Sequence, residues 1–149
     1  MEYRRATRED VDAFVDNRME FASSLVNLPN IEAFRESTRN YIEQHIDQDD
    51  LIVFLAVDDG TIVSSCMACI FTSAPHPLRL SGKCAEVLNV YTREDYRGQG
   101  HAKKLLTSLI QEAKHAGVQR LILDYEDAGL PLYQKLGFQI LERQMQLQL

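Results

Sequence analysis

The sequence is short of several features that would define its class at once. Its 149 residues include no tryptophan and only three cysteines. The longest uninterrupted apolar run, Leu51 to Val57, is too short to cross a bilayer. No positively charged segment followed by an apolar one precedes the first predicted strand, so nothing indicates export. We therefore expect a cytoplasmic protein without a membrane partner, folded as a single domain over residues 1–149.

The cysteines are odd in number, which disfavours a disulfide framework. Cys66 and Cys69 form a C-x-x-C motif, but they fall within a predicted strand, where residues three positions apart point to opposite faces. No second pair of cysteines or histidines completes a zinc site. We expect small, buried side chains here and no bound metal.

Negative charge predominates, with a formal net charge of −6, which argues against a nucleic-acid partner. One segment is an exception, because it holds the cations Arg97, His101, Lys103 and Lys104. These residues lie at the start of a predicted helix, where the helix dipole favours anionic side chains instead. A bound external anion would supply the missing negative charge.

The cationic loop is part of a strand–loop–helix segment that runs from Glu86 to Ala116. The free amide groups of the first helical turn point into such a loop, and Gly98 and Gly100 allow a ligand to approach the backbone closely. A solvated surface loop is the alternative that the spacing alone leaves open. Neither the third glycine of a dinucleotide-binding loop nor the Gly-Lys-Ser/Thr ending of a Walker loop is present.

Two segments of the chain resemble a known family. Residues 97–102 read Arg-Gly-Gln-Gly-His-Ala, which matches the Arg/Gln-x-x-Gly-x-Gly/Ala signature of the GNAT superfamily of acetyl-CoA-dependent N-acetyltransferases. Residues 132–138 read Leu-Tyr-Gln-Lys-Leu-Gly-Phe and resemble a later landmark of that family. The resemblance extends over essentially the whole chain. It implies acetyl-CoA as the cosubstrate, with the pyrophosphate in the glycine loop.

Hydrophobic periodicity and turn residues predict a mixed α/β (α+β) fold in the order β-α-α-β-β-β-α-β-α-β-β. With the GNAT resemblance, this order implies a central mixed sheet of about seven strands flanked by about four helices. In GNAT proteins the first two helices wall the acceptor site. The predicted strands are residues 2–6, 51–57, 61–71, 86–91, 121–125, 138–141 and 144–149, and the predicted helices are 11–26, 31–42, 103–116 and 131–136.

The resemblance also implies which residues contact acetyl-CoA. In GNAT proteins the strand before the loop carries a bulge, and its backbone pairs with the pantetheine arm. Most of the contacts would come from backbone N–H groups, one of which, near Val90, would polarise the thioester carbonyl. The matching positions are Val90, Thr92, Arg97, Gly98, Gln99, Gly100, Ala102 and Lys103.

Two side chains are candidates for catalysis. Glu86 is the only carboxylate of its predicted strand and falls where some GNAT proteins place a general base, although a glutamate without a role is the alternative. Tyr133 matches the position that commonly gives a proton to the CoA thiolate, and a packing tyrosine is the alternative. Glu126 and Gly129 stand where an Asn and an Ala commonly precede this tyrosine.

The residues and the resemblance together predict an N-acetyltransferase that moves an acetyl group from acetyl-CoA to a primary amine. The acceptor can be a small molecule or a peptide amine, and a homodimer is compatible with the sequence. A non-catalytic acyl-CoA sensor on the same fold is one alternative. An enzyme that uses the glycine loop for ATP or NAD is another, with Asp124 only loosely placed for a ribose contact.

Overall fold

The computed structural model describes residues 1–142 and 144–149, and it forms a five-stranded sheet between two layers of helices. The sheet has the order β1-β2-β3-β4-β5. The elements are β1 Glu2–Arg5, α1 Val11–Leu25, α2 Ile31–His45, β2 Leu51–Asp58, β3 Thr61–Thr72, β4 Lys83–Thr92, α3 His101–His115, β5 Arg120–Ile122 and α4 Leu130–Lys135, with single 3₁₀ turns at Arg8–Asp10 and Glu94–Tyr96.

The strands change direction once across the sheet. Strands β1 to β4 pair antiparallel, and β5 pairs parallel with β4 through α3, which makes the crossover connection. The parallel ladder is short, because it comprises only the pairs Cys84–Arg120, Ala85–Leu121 and Glu86–Ile122. Beyond the last of these pairs β4 continues to Thr92 without a strand beside it on that edge.

Each face of the sheet has its own apolar core. On one face, which we call the α3 side, strand residues pack against α3 and α4 through buried side chains that include Leu105, Leu106, Leu109 and Tyr133. On the other, the α1 side, strand residues pack against α1 and α2 through side chains that include Val11, Phe14, Val15 and Ile42. None of the helices described is long and apolar enough to span a membrane.

Most of the predicted elements are confirmed, including all four helices and the first four strands. The strand predicted over 121–125 is shorter and ends at Ile122. The strands predicted over 138–141 and 144–149 are absent from the described residues, so the sheet has five strands rather than seven. Alternating apolar residues form a strand only beside a partner. Among the residues that the structure describes, Met145, Leu147 and Leu149 have none and are exposed.

The side chains of the C-x-x-C pair point to opposite faces of the sheet, as predicted. The side chain of Cys66 packs in the α3-side core, whereas Cys69 packs against the α1-side core. Cys66, Cys69 and Cys84 are all free thiols.

Candidate active site

Strand β4 carries a bulge just before it reaches the glycine loop. Tyr91 pairs with Ser65 and Leu88 pairs with Met67, so two residues of β4, Asn89 and Val90, oppose the single residue between them in β3. Asn89 has a φ of 52°, a conformation that non-glycine residues seldom adopt. The bulge that the GNAT resemblance implies is therefore present, although nothing in the sequence marked Asn89 as its centre.

Side-chain hydrogen bonds hold Asn89 in this conformation. Its Nδ2 donates to Ser65 Oγ at 2.8 Å, and Ser65 Oγ donates to Asn17 Oδ1 of α1 at 2.6 Å. All three side chains are buried. Buried hydrogen-bond chains of this kind stiffen the backbone that they connect, so α1 and β3 together fix the geometry of the bulge.

The bulge leaves the outer edge of β4 open toward the glycine loop. Because β5 ends at Ile122, no strand of the described part of the chain lies on that side of the β4 backbone from Val87 to Thr92. Val90 packs toward the α3 side, and the Thr92 hydroxyl shares a 2.8 Å hydrogen bond with Ser64 Oγ. An open strand edge next to a helix N-terminus can accept an extended ligand through backbone hydrogen bonds.

The glycine loop presents a run of unused amide groups. Within the described part of the chain, no hydrogen bond starts from the backbone N–H groups of residues 98–103, and the first helical bond runs from Lys104 N to Gly100 O. Gly98 and Gly100 have φ values of 74° and 84°, and a methyl group added at either would meet no atom within 4 Å. The first turn of α3 contains no acidic residue. The loop therefore has the geometry and the charge of an anion site.

The four basic residues of the loop differ in their surroundings. The His101 ring is buried, its Nδ1 lies 2.7 Å from the Tyr3 hydroxyl, and the Lys104 ammonium lies 3.6 Å from the centroid of the Tyr3 ring. His101 and Lys104 thus anchor α3 to β1. Arg97 and Lys103 are exposed at the loop, where Arg97 Nε also donates to Thr92 O at 3.1 Å.

The two candidate catalytic residues both line one cavity of about 330 Å³, although Tyr133 belongs to the α3-side core and alternation along β4 places the Glu86 side chain on the α1 side. Glu86 belongs to the last pair of the β4–β5 ladder, and its side chain is half-buried. Tyr133 comes from α4 and is 8% exposed. Burial raises the pKa of Tyr133, so its phenol is held in the protonated form that can donate a proton.

Gly129 determines how closely Tyr133 approaches the backbone. A Cβ at Gly129 would lie 2.9 Å from Tyr133 Cε2, closer than side chains tolerate. The ring is held on another side by Phe138, at 5.9 Å between centroids. The departure from the common Ala at this position therefore has a steric reason, whereas nothing in the structure explains Glu126, which is exposed.

The structure brings one further residue to the bulge. Arg18 of α1 points at Asn89, with Nη1 3.5 Å from Asn89 Oδ1. Arg18 could not be found from the sequence, because the periodicity of α1 marks only its apolar positions.

The fold and the loop define the class of this protein. The model of the acetyltransferase (GNAT) family matches residues 18–138, which is most of the chain. The protein belongs to this family, and the family predicted from the glycine loop and the Leu132–Phe138 segment is confirmed.

Individual relatives are consistent with this class. A glucosamine 6-phosphate N-acetyltransferase from Trypanosoma brucei brucei is 35% identical over 97 residues, which is 65% of this chain and 64% of that protein. A predicted acetyltransferase from Clostridium acetobutylicum, solved with acetyl-CoA, has a TM-score of 0.91 at 24% identity over 99% of this chain and 95% of its own. A glucosamine-6-phosphate N-acetyltransferase from Arabidopsis thaliana has a TM-score of 0.71 at 20% identity, over 99% and 97%. The two solved structures support the fold.

Proposed function

We propose that this protein transfers the acetyl group of acetyl-CoA to a primary amine. The observation that carries the proposal is the order of three features along β4 and the loop after it. They are the cavity that Glu86 and Tyr133 line, the open edge of β4 with its bulge, and the free amides of residues 98–103.

The cosubstrate would be held mainly by backbone groups. The pyrophosphate would accept hydrogen bonds from the loop amides, with positive charge nearby from two exposed side chains. The pantetheine arm would pair with the free edge of β4 as a further strand does. The residues that we assign to these contacts are Val90, Thr92, Arg97, Gly98, Gln99, Gly100, Ala102 and Lys103.

The chemistry divides between a base and an acid. A protonated alkylamine, with a pKa of about 10, cannot attack a thioester, so Glu86 would remove its proton directly or through water. The free amine then adds to the carbonyl carbon, and an N–H near Val90 stabilises the oxyanion. When the C–S bond breaks, the departing thiolate takes the phenolic proton of Tyr133. The nitrogen, which carries one extra proton after its attack, gives that proton through water to the tyrosinate, and the products are an amide and CoA.

The proposal also covers the class of acceptor, the cellular location and the oligomeric state. A small-molecule amine is the favoured acceptor, since the relatives named above include enzymes whose substrate is glucosamine 6-phosphate. Free cysteines fit the reducing environment of the cytoplasm. The chain would act as one domain over residues 1–149, and a homodimer stays a prediction for light scattering to check.

The test measures binding and turnover separately. Thermal shift with acetyl-CoA, ATP and NAD identifies the ligand of the loop, because a ligand at a hundred times its dissociation constant stabilises by about 2.7 kcal/mol. Release of CoA thiol across a panel of amines then measures transfer. We expect stabilisation by acetyl-CoA alone and amine-dependent thiol release. Binding without release from any amine would indicate an acyl-CoA sensor, and stabilisation by ATP or NAD instead would contradict the proposal.

A further inference from the structure

The guanidinium of Arg18 lies beside the bulge of β4. Its side chain is half-buried, its Nη1 lies 3.5 Å from Asn89 Oδ1, and its Cζ lies 5.8 Å from the centroid of the Phe34 ring on α2. The charge is therefore enclosed between both helices of the α1 side and the sheet. Burial lowers the pKa of Arg18, although an arginine stays charged at neutral pH.

This charge has no carboxylate partner among the described residues. Six other arginines of the chain form ion pairs within 4.0 Å, and they are Arg4, Arg5, Arg8, Arg35, Arg39 and Arg93. Several of those pairs are at the surface, where water would solvate the charge without help. Arg18 is partly removed from water and would be stabilised by a counter-charge, since an unpaired buried ion is destabilising.

A role in holding the bulge does not account for Arg18. The Asn89 side chain is already fixed by its 2.8 Å bond to Ser65 Oγ, which continues to Asn17. At 3.5 Å, the contact from Arg18 is at the limit of a hydrogen bond and adds little to that arrangement. Most of the hydrogen-bonding capacity of the guanidinium is free for a ligand.

Arg18 shares its face of the sheet with Glu86. Leu88, two residues after Glu86 in β4, packs against the α1-side core, and alternation along the strand places Glu86 on that face. Cys69 is the cross-strand partner of Glu86. Burial raises the pKa of the Cys69 thiol, and the nearby charge of Arg18 opposes that rise. A carboxylate for the amine and a cation thus flank the same part of the sheet.

We propose that Arg18 binds an anionic group, a carboxylate or a phosphate, on the acceptor, so that the enzyme selects amines that carry a negative charge. This inference rests on the acetyl transfer proposed above. The amine would approach Glu86 while the anion receives the two parallel N–H bonds that a guanidinium fork offers. Such an anion supplies the counter-charge that Arg18 lacks.

The experiment compares pairs of amines of which one member carries an anionic group and the other does not. Glucosamine and glucosamine 6-phosphate test the phosphate, and phenylalaninamide and phenylalanine test the carboxylate. The variants are Arg18→Gln and Arg18→Lys. The matched control is Arg35→Gln, which removes an arginine of α2 that pairs with Asp16 at the surface.

We expect wild type to prefer the charged member of at least one pair. Arg18→Gln should raise the KM for that member by on the order of 30-fold with kcat nearly unchanged, Arg18→Lys should recover part of the loss, and Arg35→Gln should match wild type.

Stability and ligand binding complete the test. Arg18→Gln removes a desolvated charge, so we expect its Tm to be equal to that of wild type or higher, and its affinity for acetyl-CoA to be unchanged. Equal use of charged and neutral amines by wild type and by Arg18→Gln would overturn the anion site while leaving acetyl transfer intact. Failure of every amine to release CoA would overturn the proposed function instead. In that case the anion site is tested by binding alone. Thermal stabilisation of wild type, but not of Arg18→Gln, by glucosamine 6-phosphate or phenylalanine would support the anion site, and no stabilisation of wild type by either compound would overturn it.

Discussion

Glu86 of β4 and Ile122 of β5 face each other in the last pair of the parallel ladder, and the two strands separate beyond them. Glu86 therefore lies where the sheet opens, three residues before the bulge at Asn89. From this point the β4 backbone is free to pair with something other than protein. The predicted consequences for activity and stability begin with this carboxylate.

Glu86→Gln removes the proposed base and keeps the shape of the side chain. We expect kcat to fall by about 10²- to 10³-fold, because general-base catalysis contributes on that scale. The dissociation constant for acetyl-CoA, measured by calorimetry, should not change. Glu36→Gln, at an exposed position of α2, is the control. Equal rates for the two variants would remove Glu86 from the mechanism and leave it as a polar residue at the edge of the ladder.

Tyr133→Phe removes the phenolic proton and leaves the ring in place. We expect a loss in kcat of about 10- to 100-fold with little change in Tm, since the ring keeps its packing against Phe138. Tyr125→Phe is the matched control, because Tyr125 lines the same cavity but is 40% exposed. If the Tm of Tyr133→Phe falls together with its activity, the role of Tyr133 is packing and not proton donation.

Gly100→Ala tests whether the glycine loop binds acetyl-CoA. Gly117→Ala is its control, because Gly117 has a similar φ but lies outside the loop. Gly100 and Gly117 have φ values of 84° and 78°, and a methyl group at either would contact nothing. Each substitution should therefore lower stability by about 1–2 kcal/mol through backbone strain alone. Only Gly100→Ala should also weaken acetyl-CoA binding, by about tenfold or more, since the methyl group would point at the pyrophosphate. An equal effect of both substitutions on the affinity would exclude the loop as the binding site.

Asp10→Asn tests a stabilising contact far from the site. The Asp10 carboxylate accepts two bonds from Arg4, at 2.6 and 2.7 Å, and one from Thr7 N at 2.8 Å. The Arg4 hydrogen bond is the main reason why the pKa of Asp10 is lowered on folding. A carboxylate with a lowered pKa stabilises above its unfolded pKa of about 3.9, and the benefit is lost as the pH falls through the folded value.

Urea unfolding at several pH values measures this effect. At pH 7 we expect Asp10→Asn to cost about 1–2 kcal/mol, and below pH 4 the difference from wild type should shrink. Asp49→Asn removes an exposed carboxylate and should have no such dependence. A cost of Asp10→Asn that stays constant down to pH 2 would show that the contact does not depend on the ionised form.

The sequence allowed some parts of the site to be predicted because their signals are local. Gly98 and Gly100 supply positive φ angles, and the missing acidic residue at the start of α3 is visible in the sequence itself. Other features depend on contacts between distant residues. The bulge at Asn89 needs Ser65 and Asn17, which are 24 and 72 positions away, and no short pattern encodes that.

The prediction of the two missing strands was wrong for a related reason. Alternating apolar residues do occur over 144–149, but a strand also requires a neighbour, and β5 offers a ladder of only three residue pairs to β4. The position of the His101 ring likewise could not be predicted from the neighbouring residues in the sequence. A cation in a glycine loop is expected at the ligand, whereas tertiary packing directs this ring to Tyr3.

The bulge also changes the parity of β4. Ala85 and Val87 face the α3 side at odd positions, but Val90 faces it at an even one, while odd-numbered Tyr91 reaches Glu20 on α1 with its hydroxyl at 3.0 Å. A regular strand of the same length without the bulge would turn Tyr91 over to the α3 side, whereas a chain shortened by one residue would keep Tyr91 on the α1 side but lose the bulge. The number of residues between the carboxylate and the glycines is therefore as much a part of the enzyme as their identity.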